Sequence, residues 1–154
     1  MLPPSVIEEI QAETELYERK QGACIDALKI VQHHKGWVDD ESVADIAALL
    51  DMTSHEVDSV ATFYNLIYRR PVGRHVIKIC SSVSCWVMGY DGVLSQIEKL
   101  LGIGVGQTTS DGRFTLVANQ CLGACDHAPT LMIDEDLHHD VIPDTIGALL
   151  EKYS

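Results

Sequence analysis

The sequence predicts an α+β (α/β) protein in two parts, an N-terminal helical bundle over residues 1–70 and an α/β domain over residues 71–154. Two observations lead to this prediction. Apolar residues recur at helical spacing through the first part, whereas short β-branched runs alternate with helical segments through the second. The stretch RRPVGR separates the two patterns, and its proline and glycine are typical of a linker.

Four short amphipathic segments account for the first part. The first has a capping-box pattern, Ser5 with Glu8, and the fourth has another, Thr53 with Glu56. Gly36 is placed to end the second segment. The positions expected to face the core are Ile7, Ile10, Thr14, Tyr17, Cys24, Ala27, Leu28, Val31, Val43, Ile46, Ala47, Leu50, Val57, Val60, Ala61 and Tyr64. Four such helices make a small bundle in which each buries one stripe.

The second part reads as strand, helix, strand, strand, strand, helix. HVIKIC is a strand, DGVLSQIEKLLG a helix ending at Gly102, and RFTLVANQ a second strand. TLMID and HHDVI are expected to form a hairpin around EDL, and PDTIGALLEKY a last helix beginning at Pro143. This order resembles the α/β layer of the thioredoxin fold.

Four of the five cysteines lie in two close pairs, Cys80 with Cys85 in CSSVSC and Cys121 with Cys125 in CLGAC. Cys80 ends the first strand and Cys121 follows the second. The segment between them contains a helix and is long enough for a parallel crossover, which brings the loops after both strands to one edge of the sheet. We therefore expect the four thiols to form one site, and Cys24 to lie in the core.

The spacing of the pairs bears on what they bind. The N-terminus lacks the pattern of a signal peptide, so the expected compartment is the cytoplasm, where thiols stay reduced. Neither pair has the two-residue gap of a thioredoxin-type dithiol. A four-thiolate zinc site stays open, but a two-iron cluster is wider and suits slightly longer gaps. Apolar neighbours are expected to exclude water from the site: Val83, Trp86, Val87, Met88 and Leu122.

The net charge of the chain disfavours functions that require binding to nucleic acids or anionic membranes. The chain has 23 acidic and 11 basic residues and a net charge of −12, so phosphate backbones and anionic membranes would repel it. The stretch VADIAALLDMTSHEVDSVATFY has the two-helix pattern of a helix-turn-helix. This pattern suggests a zinc-stabilised DNA-binding regulator as an alternative function. Its recognition helix, however, has no lysine or arginine and carries Glu56 and Asp58. A docking bundle is the better interpretation.

Two motifs carry a family resemblance. CSSVSC, with CLGAC followed by DHAPTLMID, resembles the thioredoxin-like 2Fe–2S ferredoxins. The helical part, joined to them by VATFYNLIYRRPVG, is similar to the E subunits of bacterial NADH:quinone oxidoreductase (complex I). The resemblance implies a non-catalytic electron-transfer subunit of an oxidoreductase, in which Cys80, Cys85, Cys121 and Cys125 bind one 2Fe–2S cluster.

The resemblance also implies partners and a location. The cluster would exchange single electrons with the FMN of an adjacent NADH-oxidising subunit of the F type, which also carries a 4Fe–4S cluster. FMN and NADH would bind there and not on this chain. The large iron–sulfur subunit is a second expected partner, and the assembly would be peripheral at the cytoplasmic face of the inner membrane.

Some alternatives stay open at the sequence level. The diaphorase subunit of an NAD-linked hydrogenase or formate dehydrogenase would use the same cluster beside the same kind of flavoprotein. We expect a low cluster potential, because an acidic protein and an apolar shell oppose an added electron. The sequence leaves undecided whether His127 tunes the cluster and whether Arg69, Arg70 and Arg74 form a docking patch.

Overall fold

The computed structural model describes residues 1–153, and the chain divides into two compact units between Pro71 and Val72. The helices are α1 (Pro4–Thr14), α2 (Cys24–Lys35), α3 (Asp40–Leu50), α4 (Ser54–Phe63), α5 (Val83–Val87), α6 (Tyr90–Leu101) and α7 (Ile146–Leu150). The strands are β1 (His75–Cys80), β2 (Phe114–Asn119), β3 (Leu131–Ile133) and β4 (Asp136–His138). Within residues 1–153, no helix is both long enough and apolar enough to cross a membrane.

In the first unit, α2 and α3 bury the stripes that their spacing predicts. The prediction for α4 is wrong in part, because Val57 and Ala61 are buried but Val60 is half-buried and Tyr64 is exposed. Leu28, Ile46 and Leu50 are fully buried in one apolar core. The predicted capping box at α4 is present, because Thr53 Oγ1 accepts a hydrogen bond from the Glu56 N–H at 3.2 Å and Glu56 Oε2 accepts one from the Thr53 N–H at 2.8 Å. These contacts satisfy N–H groups that the first helical turn leaves without partners.

The prediction for α1 is wrong in its start and in part of its face. The helix begins at Pro4, after Pro3, and the Ser5–Glu8 capping box is not formed. Proline fits the first helical turn because its missing N–H would have no partner there, so the two prolines set the start ahead of Ser5. Ile10 is buried as predicted, and Val6 is buried beside it. Tyr17 lies beyond the end of the helix, so it is not part of the helix face.

The Arg69 side chain is held by hydrogen bonds within the first unit. Its guanidinium donates from Nε to Asp58 at 2.9 Å and from Nη2 to Asp40 at 2.6 Å, and it also reaches the Val38 carbonyl. The side chain is therefore engaged within its own unit, in contrast to Arg70, which is exposed. This arginine acts as a cross-link of the bundle.

The second unit is built on a four-stranded sheet of order β2-β1-β3-β4. β1 and β2 are parallel, which confirms the predicted crossover, and β3 and β4 are antiparallel to β1 and β3 respectively. Apolar residues of β1, β2 and β3, among them Ile77, Leu116 and Ile133, are fully buried in a core shared with α6 and α7. The carboxyl ends of β1 and β2 thus lie side by side.

The hairpin lies slightly earlier in the chain than predicted. Asp134 adopts a left-handed conformation (φ 54°) and turns the chain with Glu135, so that β4 is Asp136–His138 and most of HHDVI lies beyond the strand. Asp134 also accepts a hydrogen bond from the Val76 N–H at 2.9 Å, which fixes this turn against β1. The last helix is preceded by a 3-10 turn at Pro143–Thr145.

The capping box of α4 gives a stability test. Replacing Thr53 with alanine removes a side-chain acceptor at the helix start, so we expect the free energy of unfolding to fall by about 1 kcal/mol. Urea denaturation followed by circular dichroism measures this change. The matched control is Ser5→Ala, which removes no cap and should change stability by less than about 0.5 kcal/mol. Equal losses for both variants would contradict the assignment.

Candidate metal centre

The cysteine-bearing loops leave the sheet at the carboxyl ends of β1 and β2. Cys80 is the last residue of β1 and lies in register with Asn119, the last residue of β2. The Ser81 N–H donates to the Asn119 carbonyl at 2.8 Å, and the Cys80 thiol lies 3.9 Å from the Gln120 carbonyl oxygen. The parallel pairing therefore brings the start of one loop against the start of the other.

The short helix α5 positions the first pair. It starts three residues after Cys80 and holds Cys85 in its middle, so the Cys85 side chain turns inward and packs in one cluster with Cys80. Both side chains are buried, at 2% and 1% exposure. The sequence did not predict this helix, because five residues are too few to show helical spacing.

The second pair lies on a tight loop at the surface. The Cys121 and Cys125 sulfurs are 3.9 Å apart, and both residues are exposed. Gly123 adopts φ 80°, which favours glycine, and its N–H donates to the Cys121 sulfur at 3.3 Å. The Asn119 side-chain amide holds the loop by donating to the Cys121 carbonyl at 3.1 Å.

Contacts between the loops link the two pairs. The Leu122 N–H lies near enough to the Cys80 sulfur to lower the pKa of that thiol, and the Ser84 hydroxyl acts in the same direction on the pKa of Cys125. Across residues 1–153, no three histidine, cysteine, aspartate or glutamate side chains are grouped closely enough for one metal ion. Two close pairs fit a 2Fe–2S cluster, which spreads four thiolates over two irons.

The electrostatic environment differs between the thiols. Burial alone would raise the pKa of Cys80, but hydrogen bonds from the Ser82 and Leu122 N–H groups and from Cys85 lower it. Burial raises the pKa of Cys85, and the Cys80 sulfur adds to that rise. The hydrogen bond with Cys121 raises the pKa of Cys125. Nearby N–H groups thus favour the thiolate form of Cys80, whereas burial at Cys85 and the neighbouring Cys121 sulfur at Cys125 favour the protonated thiol.

The expected water-excluding shell is mostly wrong. Leu122 packs against the buried cysteines as expected. Four apolar side chains, on α5 and directly after it, point outward instead. These residues, called the α5 patch below, are between 60% and 68% exposed: Val83, Trp86, Val87 and Met88. The reason is geometric, since one turn of helix can turn only one direction inward and Cys85 occupies it.

The His127 ring lies between two carboxylates. Its Nδ1 lies 3.1 Å from an Asp140 carboxylate oxygen and its Nε2 lies 3.6 Å from one of Asp126. Cys24 is buried in the core of the first unit, as predicted, and burial raises the pKa of its thiol.

Sequence reasoning missed Thr130, which is 2% exposed and whose hydroxyl lies 3.6 Å from the Cys85 sulfur. The sequence gives no sign of this contact, because it depends on the pairing of β3 with β1.

The burial of the thiols predicts their reactivity. In reduced, metal-free protein we expect two thiols, Cys121 and Cys125, to react rapidly with Ellman's reagent and the three buried thiols to react slowly, because the reagent must reach the sulfur. Stopped-flow absorbance counts the thiols in each phase. Cys24→Ala should leave the fast phase at two thiols. Five equivalent rates would contradict the burial described here.

Comparisons with known proteins agree with this architecture. The chain is 51% identical over 144 residues to the E subunit of the NADH-quinone oxidoreductase of Pseudomonas aeruginosa, covering 94% of this chain and 87% of that protein. It is 51% identical over 146 residues to the corresponding E subunit of Escherichia coli K12, covering 95% and 88%.

A solved structure of an NAD+-reducing [NiFe]-hydrogenase in the H2-reduced state superposes with a TM-score of 0.73, covering 85% of this chain and 22% of that one. At 23% identity, this likeness concerns the fold alone.

The family comparison covers almost the whole chain. The family model described as thioredoxin-like [2Fe-2S] ferredoxin matches residues 8–154. This match confirms the predicted fold class and the predicted resemblance, and it includes all four paired cysteines. The chain therefore belongs to the thioredoxin-like [2Fe-2S] ferredoxin family, and within it to the group of NADH-quinone oxidoreductase E subunits.

Proposed function

We propose that this chain is the electron-transferring E subunit of an NADH-quinone oxidoreductase, with one 2Fe–2S cluster held by Cys80, Cys85, Cys121 and Cys125. The observation that carries the proposal is the meeting of two thiol pairs at one sheet edge, in a chain of this family. A bound 2Fe–2S cluster supplies one-electron redox chemistry. The chain itself supplies no catalytic residue in this proposal.

The two pairs would hold the cluster in different surroundings. Cys80 and Cys85 would hold its inner side, where burial excludes water, and Cys121 and Cys125 would hold its outer side at the surface. The Gly123 N–H donates to the Cys121 sulfur and so offsets part of the negative charge on the thiolates. Electrons would enter and leave through the exposed side, because only there can a partner approach closely.

The α5 patch would dock the partner that bears the flavin. It presents large apolar side chains without a charged residue, on the same short helix that carries Cys85. An exposed apolar surface of this kind is typical of a protein interface. Continuity with the cluster site favours the NADH-oxidising FMN subunit as the occupant, since that partner must exchange electrons with the cluster.

The helical bundle would serve assembly. Its exposed Phe63, Tyr64 and Leu66 end α4 and follow it, and they offer a second apolar surface, which we assign to the large iron–sulfur subunit. Within such an assembly the chain would lie at the cytoplasmic face of the inner membrane, attached through its partners.

The ligand set is tested by single replacements. Cys80→Ser, Cys85→Ser, Cys121→Ser and Cys125→Ser should each lose most of the bound iron and the EPR signal of the reduced cluster, because each removes one of four thiolate ligands. Iron analysis and EPR of dithionite-reduced protein measure both. Cys24→Ala is the matched control and should keep full iron content. A colourless protein loaded with zinc would overturn the proposal.

The docking face is tested separately. Replacing both Trp86 and Val87 with aspartate should weaken binding to the FMN subunit at least about tenfold, because charged groups would be buried in an apolar interface. Titration calorimetry with the purified partner measures the affinity, and iron analysis checks that the cluster is retained. The control is Val105→Asp, an exposed apolar position of the same unit that lies outside α5, between α6 and β2. Unchanged affinity in the double variant would exclude this face.

A further inference from the structure

We propose that the Thr130 hydroxyl donates a hydrogen bond to the Cys85 sulfur and thereby raises the midpoint potential of the bound cluster. This inference rests on the ligand set proposed above. It adds a residue that binds no metal and acts through a ligand, so Thr130 is a positioning residue.

Polar groups of Thr130 lie next to both buried cysteines. The Thr130 Oγ1 lies 3.6 Å from the Cys85 sulfur. The Thr130 carbonyl accepts a hydrogen bond from the Cys80 N–H at 3.2 Å. One residue thus contacts both inner ligands.

Burial makes this hydroxyl costly to place without a partner. Thr130 is 2% exposed, and it lies directly before β3, with no room for bulk water to replace the sulfur as partner. A buried hydroxyl that lacks a hydrogen bond costs about 1–3 kcal/mol. Valine has nearly the same shape and would fill this position without that risk, so packing alone does not account for a threonine here.

Metal binding fixes the direction of the hydrogen bond. Between a free thiol and a hydroxyl either group can donate. A cysteine sulfur bound to iron has no proton, so it can only accept and the hydroxyl must donate. Reduction adds negative charge to the cluster and its ligands, which strengthens the hydrogen bond. The donor therefore stabilises the reduced state more than the oxidised state.

The low dielectric around the inner pair makes this contact more effective than its counterpart on the outer pair. The Ser84 hydroxyl lies near the Cys125 sulfur, but Cys125 is exposed, so water can compete for that sulfur. Water cannot reach the Cys85 sulfur in the same way, since the residue is 1% exposed. Electrostatic effects of a single donor are larger where water is excluded. Thr130 is accordingly the stronger of the two hydroxyl donors.

Redox titration of the cluster-loaded protein, followed by EPR, tests the inference. At a fixed ambient potential near the midpoint, we expect Thr130→Val to lower the ratio of reduced to oxidised cluster about fivefold, as for the loss of roughly 1 kcal/mol. Thr130→Ser keeps the hydroxyl and should stay within about twofold of the native ratio. Thr115→Val is the matched control, because Thr115 is also buried but accepts from the Gly73 N–H and lies beside Thr108.

The outcomes separate this inference from the proposed function. An unchanged potential in Thr130→Val with full cluster content would overturn the hydrogen-bond role alone. A shift in Thr130→Ser as large as that in Thr130→Val would also overturn it, since the hydroxyl would then be irrelevant. If Thr130→Val loses the cluster while Thr130→Ser keeps it, the hydroxyl is required to hold the cluster, and its assignment as a donor that sets the potential is overturned. Native protein without a 2Fe–2S signal would instead reject the proposed function.

Discussion

The parallel pairing of β1 with β2 is the constraint on which the site depends. Cys80 and Asn119 lie in register at the ends of these strands, so the loops that follow begin side by side. A shift of register by one residue would turn the Cys80 thiol to the other face of the sheet. The pairing is held by Ile77 and Leu116 in the buried core with α6. The hydrophobic core of the second unit therefore fixes where the proposed ligands meet.

The site is asymmetric, and the asymmetry suits electron transfer. The inner thiols are buried among N–H and hydroxyl donors, whereas the outer thiols are at the surface on a loop that needs Gly123 in a left-handed conformation. Buried ligands protect a cluster from water, and exposed ones allow a redox partner to approach. The net charge of −12 opposes the addition of an electron, while hydrogen bonds to sulfur favour it. In the proposed function these two effects therefore act on the cluster potential in opposite directions.

Much of the architecture could be predicted where the sequence carries strong local signals. The faces of α2 and α3, the stop at Gly36, the Thr53 capping box and the parallel crossover are all visible as spacing or capping chemistry. The errors fall where signals compete or are too short. Two prolines displaced the start of α1 from Ser5, and Asp134 took a left-handed turn that propensity does not specify. The four cysteines stood out by spacing, but Thr130 did not, because its role arises only from tertiary contacts.

The place of Thr130 follows from the mixed character of the sheet. β3 runs antiparallel to β1, with Leu131 opposite Ile79, so the residue before β3 must lie beside the end of β1. The Cys80 N–H consequently donates to the Thr130 carbonyl, which anchors the residue while its hydroxyl reaches the Cys85 sulfur. If the strand in the place of β3 were parallel to β1, its carboxyl end would lie at this edge, as that of β2 does. The segment beside Cys80 would then be another loop and not the residue that begins a strand. The antiparallel strand thus places the proposed donor on one side of β1, and the parallel strand leads into the loop with two of the proposed ligands on the other.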